Sequence, residues 1–107
     1  MHYIELDHLK IPIRICSCAA CGTTNLLLVR ADMMDGLPEY CIEHGDYQCK
    51  APYPKDCKSI NAAVAAWNTM NEEWKDGFDR IWFEVDRVYE TRWDCSIAPE
   101  GVRPRTQ

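Results

Sequence analysis

Cys18-Ala19-Ala20-Cys21-Gly22 and Cys41-Ile42-Glu43-His44-Gly45 share one spacing: two ligand-capable side chains separated by two residues and closed by a glycine. Nineteen residues lie between Cys21 and Cys41, within the range of zinc sites built from paired knuckles. Such a knuckle turns tightly so that both side chains meet one ion. A glycine after the second ligand permits the positive φ of that turn and keeps a side chain away from the metal. Three thiolates and one imidazole would complete a closed tetrahedral shell, so the spacing predicts structural zinc held by Cys18, Cys21, Cys41 and His44. A shell of this kind has no place for a reacting water, which disfavours metal-dependent hydrolysis.

A chain of 107 residues can bury only a modest core, so a staple is expected. Its seven cysteines are an odd number. The opening "MHYIELDHLK" has no continuous apolar run of the kind that directs secretion or membrane insertion. Both features point to a reducing cytoplasm, where clustered cysteines bind metal more often than they form disulfides. Cys16, Cys49 and Cys57 are alternate ligands: Cys16 in place of Cys18 through a looser knuckle, Cys49 and Cys57 as small buried side chains or parts of a second site. Cys95 has no motif around it. A redox role for Cys18 and Cys21 would call for a following helix in a βαβ pattern, and here a hairpin is predicted instead. His2 and His8 lack ligand spacing and are expected in solvent.

The rest of the chain reads as a single domain over 1-107, divided into a zinc-ribbon β unit (11-58), a helix (59-76), a C-terminal element (77-95) and a tail (96-107) that is expected to fray. Ile11, Ile13 and Ile15 alternate as in a strand, and Pro12 places that strand at a sheet edge. Leu26 to Asp32, the Asp35-Gly36 turn pair and Glu39 to Ile42 predict a hairpin. An ordered loop with two prolines is expected from Gly45 to Lys58. Ser59 is a natural N-cap for a helix whose stripe is Ile60, Ala63, Val64, Trp67, Met70 or Asn71, and Trp74, with Lys75 in the last turn and Gly77 at its left-handed end. Residues 78–93 fit a helix by the spacing of Ile81, Val85 and Val88, and a strand by their β-branched and aromatic content. The expected fold class is α+β: a small zinc-ribbon hairpin unit packed on one long helix, with a C-terminal helix or strand added.

"CAACG", "CIEHG" and "SINAAVAAWN", taken in this order with a hairpin between the first two, resemble the Lar-like restriction-alleviation family of phage and prophage zinc ribbons. The similar stretch runs from Cys18 to Asn68, about half of the chain. Family members usually carry cysteine where His44 stands, and they end soon after the Trp-Asn pair, whereas this chain continues for more than 30 residues beyond Asn68. The resemblance implies a small cytoplasmic accessory factor, not an enzyme, that protects phage or prophage DNA by acting on a host restriction-modification enzyme.

Charge narrows the partner. With 12 basic and 17 acidic residues, the net charge is −5, which disfavours direct binding to nucleic acid and favours a basic protein. Between Asn71 and Asp94 eight acids face four bases. Glu72, Glu73, Asp76, Asp79, Glu84, Asp86 and Glu90, with Trp82 as an apolar anchor, are the candidate partner-binding residues. Their ordinary role is a solvated face. The sharper expectation is an acidic surface set against a cationic groove, either of a restriction-modification enzyme or, alternatively, of a CRISPR effector whose nucleic-acid channel it blocks. A further alternative is a zinc-ribbon module that binds nucleic acid. No phosphate loop, nucleophile elbow or carboxylate pair marks a catalytic centre.

Overall fold

The computed structural model describes residues 2–32, 36–45, 49, 54 and 57–92. They form an α+β fold of one four-stranded sheet and one helix: β1 (His2–Cys16), β2 (Leu26–Asp32), β3 (Pro38–His44), α1 (Ile60–Glu72) and β4 (Trp82–Arg92). The sheet order is β1-β4-β2-β3, so the last strand in the chain lies inside the sheet. Strand β4 runs antiparallel to β1 and parallel to β2. Asp35, most of the expected loop before Cys57, Cys95 and the tail lie outside the described residues.

The hairpin is present as expected, with Leu26 opposite His44 and Asp32 opposite Pro38. Gly36 takes the left-handed φ of 84° that a turn here requires. Strand β1 starts much earlier than Ile11 and occupies a sheet edge. Its register slips between His8 and Ile13, around Pro12, which cannot donate to a ladder. Such an irregularity bends the edge and hinders pairing with another chain.

Ser59 caps α1, its hydroxyl accepting from the Ala62 amide at 3.1 Å. The helix ends at Glu72, short of Lys75, and Asp76 (φ 59°), not Gly77, takes the left-handed position beyond it. Beyond the helix, the Arg80 guanidinium donates to the carbonyls of Asn71, Trp74 and Phe78. Asn71 lies in the last turn of α1 and the other two in the segment that follows, so one side chain ties the helix end to the chain leaving it. Arg80→Met therefore destabilises the fold by about 3 kcal/mol, and Arg80→Lys restores only part of it because an ammonium lacks the planar fork. Urea titration checks this; unchanged midpoints would mean that the three contacts contribute nothing.

From Trp82 onward the chain forms a strand because two ladders are waiting for one. Val88 pairs with Leu28 of β2, and Trp82 with Cys16 of β1. The segment's β-branched and aromatic residues suit a strand, while the spacing of Ile81, Val85 and Val88 also fits a helix. The core lies between the sheet and α1, where Ile15, Leu28, Ile42, Val64, Trp67 and Val88 are buried.

Candidate metal centre

The turn after β1 is built by local bonds. The Gly22 amide donates to the Cys18 carbonyl at 2.7 Å, and the Cys18 amide to the Thr23 carbonyl at 3.1 Å. Gly22 has the positive φ, 79°, that this knuckle was expected to need. Helix α1 then holds the turn from behind. Trp67 Nε1 donates to the Cys16 carbonyl at 2.9 Å. The Asn68 side chain accepts from the Cys16 amide and donates to the Arg14 carbonyl, both at 3.2 Å, replacing a neighbouring strand along the free edge of β1. Asn71 Oδ1 accepts from the Ala19 amide at 2.8 Å.

Four side chains meet beside this turn: Cys18, Cys21, His44 and Cys49, whose donor atoms all lie within 4.8 Å of one another. Cys18 Sγ and Cys49 Sγ are 3.9 Å apart. That is far beyond a disulfide bond of about 2.05 Å, and close to the roughly 3.8 Å between two thiolates at about 2.3 Å on a tetrahedral metal. Cys18 and His44 are buried, Cys49 is half-buried and Cys21 is exposed. Desolvation, followed by hydrogen bonding with Cys18 and Cys49, pushes the Cys21 thiol up to about 11. A divalent cation at the centre reverses this balance, because it favours the thiolates that crowding disfavours. By donor chemistry and spacing, the four residues can hold a metal ion.

Cys41 is not among them. Strand β3 continues to His44, paired with β2 along its whole length, and side chains in a strand alternate between faces. Ile42 and His44 point to the core, while Cys41 and Glu43 share the other face, where the Cys41 thiol donates to Glu43 Oε2 at 3.2 Å. Burial and the neighbouring Glu43 carboxylate push the Cys41 thiol up from its usual range. Two ligands three residues apart can share an ion in a turn but not in a flat strand, and Cys49 takes the position expected for Cys41. Its signal in the sequence is weak: a cysteine five residues after His44, without a knuckle of its own.

Gly45 does not have the left-handed φ expected of it. The Asn25 side chain lies against it instead, 2.5 Å from where a Cβ would stand, and would have to move aside for a larger residue. Of the other alternates, Cys16 is buried next to the helix contacts, and Cys57 is buried in a short bridge to Tyr40. Neither belongs to the cluster. His8 is exposed, as expected, 3.7 Å from Asp86; the side chain of His2 lies outside the described residues.

The expected partner-binding residues divide between two places. Glu72, Glu73, Asp76 and Asp79 are exposed at the end of α1 and in the segment that follows, and Glu84 is exposed near the start of β4. Asp86 lies between His8 and Arg87, and Glu90 is half-buried across from Arg30 on β2. Six residues of strand put Glu90 about 20 Å beyond Glu84. Trp82 is half-exposed, with the Arg14 guanidinium 5.7 Å from its ring centre.

Together these features define a small α+β protein with a Cys/His cluster that can bind a metal ion. No protein-family model matches the chain, and comparison with curated proteins and with solved structures finds no match. Among the described residues, no helix is long and apolar enough to cross a membrane.

Proposed function

We propose that this chain is a zinc-stapled, ribbon-like protein of the host-cell cytoplasm that acts by binding another protein, and that it serves a phage or mobile element by relieving host restriction. The observation that carries this reading is the position of Trp67 and Asn68. The two residues that distinguish the resemblance from an ordinary zinc ribbon hold Arg14 and Cys16, directly before the "CAACG" knuckle. Knuckle and Trp-Asn helix therefore work as one unit, a reason for such residues to occur together.

The donor set suits zinc in a structural role: three thiols and an imidazole supply four ligands and leave no coordination position for a substrate. Activity then belongs to the surface that the metal holds in place. That surface is acidic where it is most exposed, which favours a cationic protein over nucleic acid as the partner. The same acids favour a second reading, in which the chain blocks the nucleic-acid channel of a CRISPR effector.

Unmodified phage plated on restricting and non-restricting hosts, with and without the protein, tests the first reading. Plating is expected to recover only on the restricting host, and only when Cys49 is intact. No recovery there rejects restriction relief; recovery confined to a CRISPR-immune host selects the second reading.

A further inference from the structure

Residues 78–82 carry the apolar side chains Phe78, Ile81 and Trp82, of which Phe78 is 57% and Ile81 55% exposed. A loose loop could turn such residues inward, but this segment is fixed along its length. The Phe78 amide donates to the Ala19 carbonyl and the Ser17 amide to the Ile81 carbonyl, each at 2.8 Å. The Ile81 amide donates to the buried Ser17 hydroxyl at 2.9 Å. Gly77 approaches so closely that a Cβ there would lie 2.5 Å from the Ala19 carbonyl oxygen, and Phe78 packs over Gly22. Arg80, the cation within the segment, is turned back onto main-chain carbonyls. A rigid apolar ledge thus rests on the knuckle that contains Cys18 and Cys21.

Its border decides what fits it. Glu72, Glu73, Asp76 and Asp79, in the stretch of chain that leads into and through this segment, are exposed, against one exposed lysine there, Lys75. A second copy of a chain with net charge −5, an anionic membrane and a nucleic acid all bring negative charge to this acidic rim. We infer that the exposed apolar side chains of Phe78 and Ile81 are a docking surface for a basic, amphipathic segment of another protein, with its apolar side chains on these two residues and lysines or arginines on the neighbouring carboxylates. The inference rests on the protein-binding reading above and supplies the chemical class of the partner.

The test uses a labelled synthetic peptide of lysine, leucine and tryptophan, with its glutamate-for-lysine counterpart as control, and reads binding to the full-length zinc-loaded protein by fluorescence anisotropy. The lysine peptide is expected to bind and the glutamate peptide not. Ile81→Ser and Phe78→Ser should each weaken binding about ten-fold, with zinc content and far-ultraviolet circular dichroism unchanged. Asp76→Lys with Asp79→Lys should weaken it similarly, whereas Glu5→Lys with Asp7→Lys, the same charge change on β1, should not.

Equal losses from the two charge reversals would overturn the inference, because binding would then follow net charge alone. So would full affinity in both serine variants, or no binding by the wild type. A dimer seen by sedimentation and dissolved by Ile81→Ser would also overturn it, assigning the ledge to a second copy. Peptide binding without phage rescue leaves the docking surface standing and rejects the counter-defence role; phage rescue that survives Ile81→Ser and Phe78→Ser does the reverse.

Discussion

Cys49→Ser is expected to abolish metal binding and unfold the protein, while Cys41→Ser is expected to keep both metal binding and the fold. Structural zinc in small domains supplies about 10 kcal/mol or more of binding free energy coupled to folding, comparable with the entire stability of a typical domain. Cys49 is one of the four clustered donors, and a serine hydroxyl is a poor ligand for this site. Cys41 faces away from the cluster, and serine can still donate to Glu43, so its replacement costs about 1 kcal/mol or less. Elemental analysis and thermal circular dichroism of both variants provide the check. Zinc retained in Cys49→Ser and lost in Cys41→Ser would restore the ligand pair suggested by the Cys41-Ile42-Glu43-His44 spacing. A chelator should reproduce the Cys49→Ser result in the wild type.

Trp67→Ala produces the second large loss, about 4 kcal/mol, with weaker zinc binding alongside it. Trp67 is fully buried at the centre of the core, and its ring meets the His44 imidazole edge-on, with centroids 6.0 Å apart. Its indole N–H also satisfies the Cys16 carbonyl. Alanine leaves a cavity, an unpaired buried carbonyl and an imidazole free to turn away from the metal. Trp67→Phe separates these effects: it retains most of the packing, loses the hydrogen bond and costs about 1 to 2 kcal/mol with near-normal zinc affinity. Urea denaturation and competition with a colorimetric chelator measure the two quantities. Equal zinc affinity in Trp67→Ala would show that His44 does not depend on this contact.

Features controlled by near neighbours could be read without the structure. The Ser59 cap, the β2-β3 hairpin, the left-handed Gly22 and the edge position of β1 each follow from a turn, a cap or a ring constraint within a few residues. The way the chain leaves α1 could not, because it involves Arg80, eight residues beyond the last helical residue, which bonds back to Asn71. The strand character of β4 depends on two partners distant in sequence, β1 and β2, and its mixed spacing fits either state until those partners are in place.

The metal cluster shows the same division within one site. Residue types and spacing sufficed to mark Cys18, Cys21 and His44, since a CxxCG turn is made by its own backbone and a histidine near a second glycine is an evident counterpart. The choice between Cys41 and Cys49 depended on where β3 ends. If the strand stopped at Tyr40, a turn could bring Cys41 and His44 to the same side; pairing with β2 as far as Leu26 keeps it extended and sends the two to opposite faces. The full length of that ladder is not marked in the sequence, and strand parity converts it into a choice of donor. The amino-acid order therefore marked a thiol-rich site able to hold a metal, and the extension of β3 along β2 decided that Cys49 rather than Cys41 joins it.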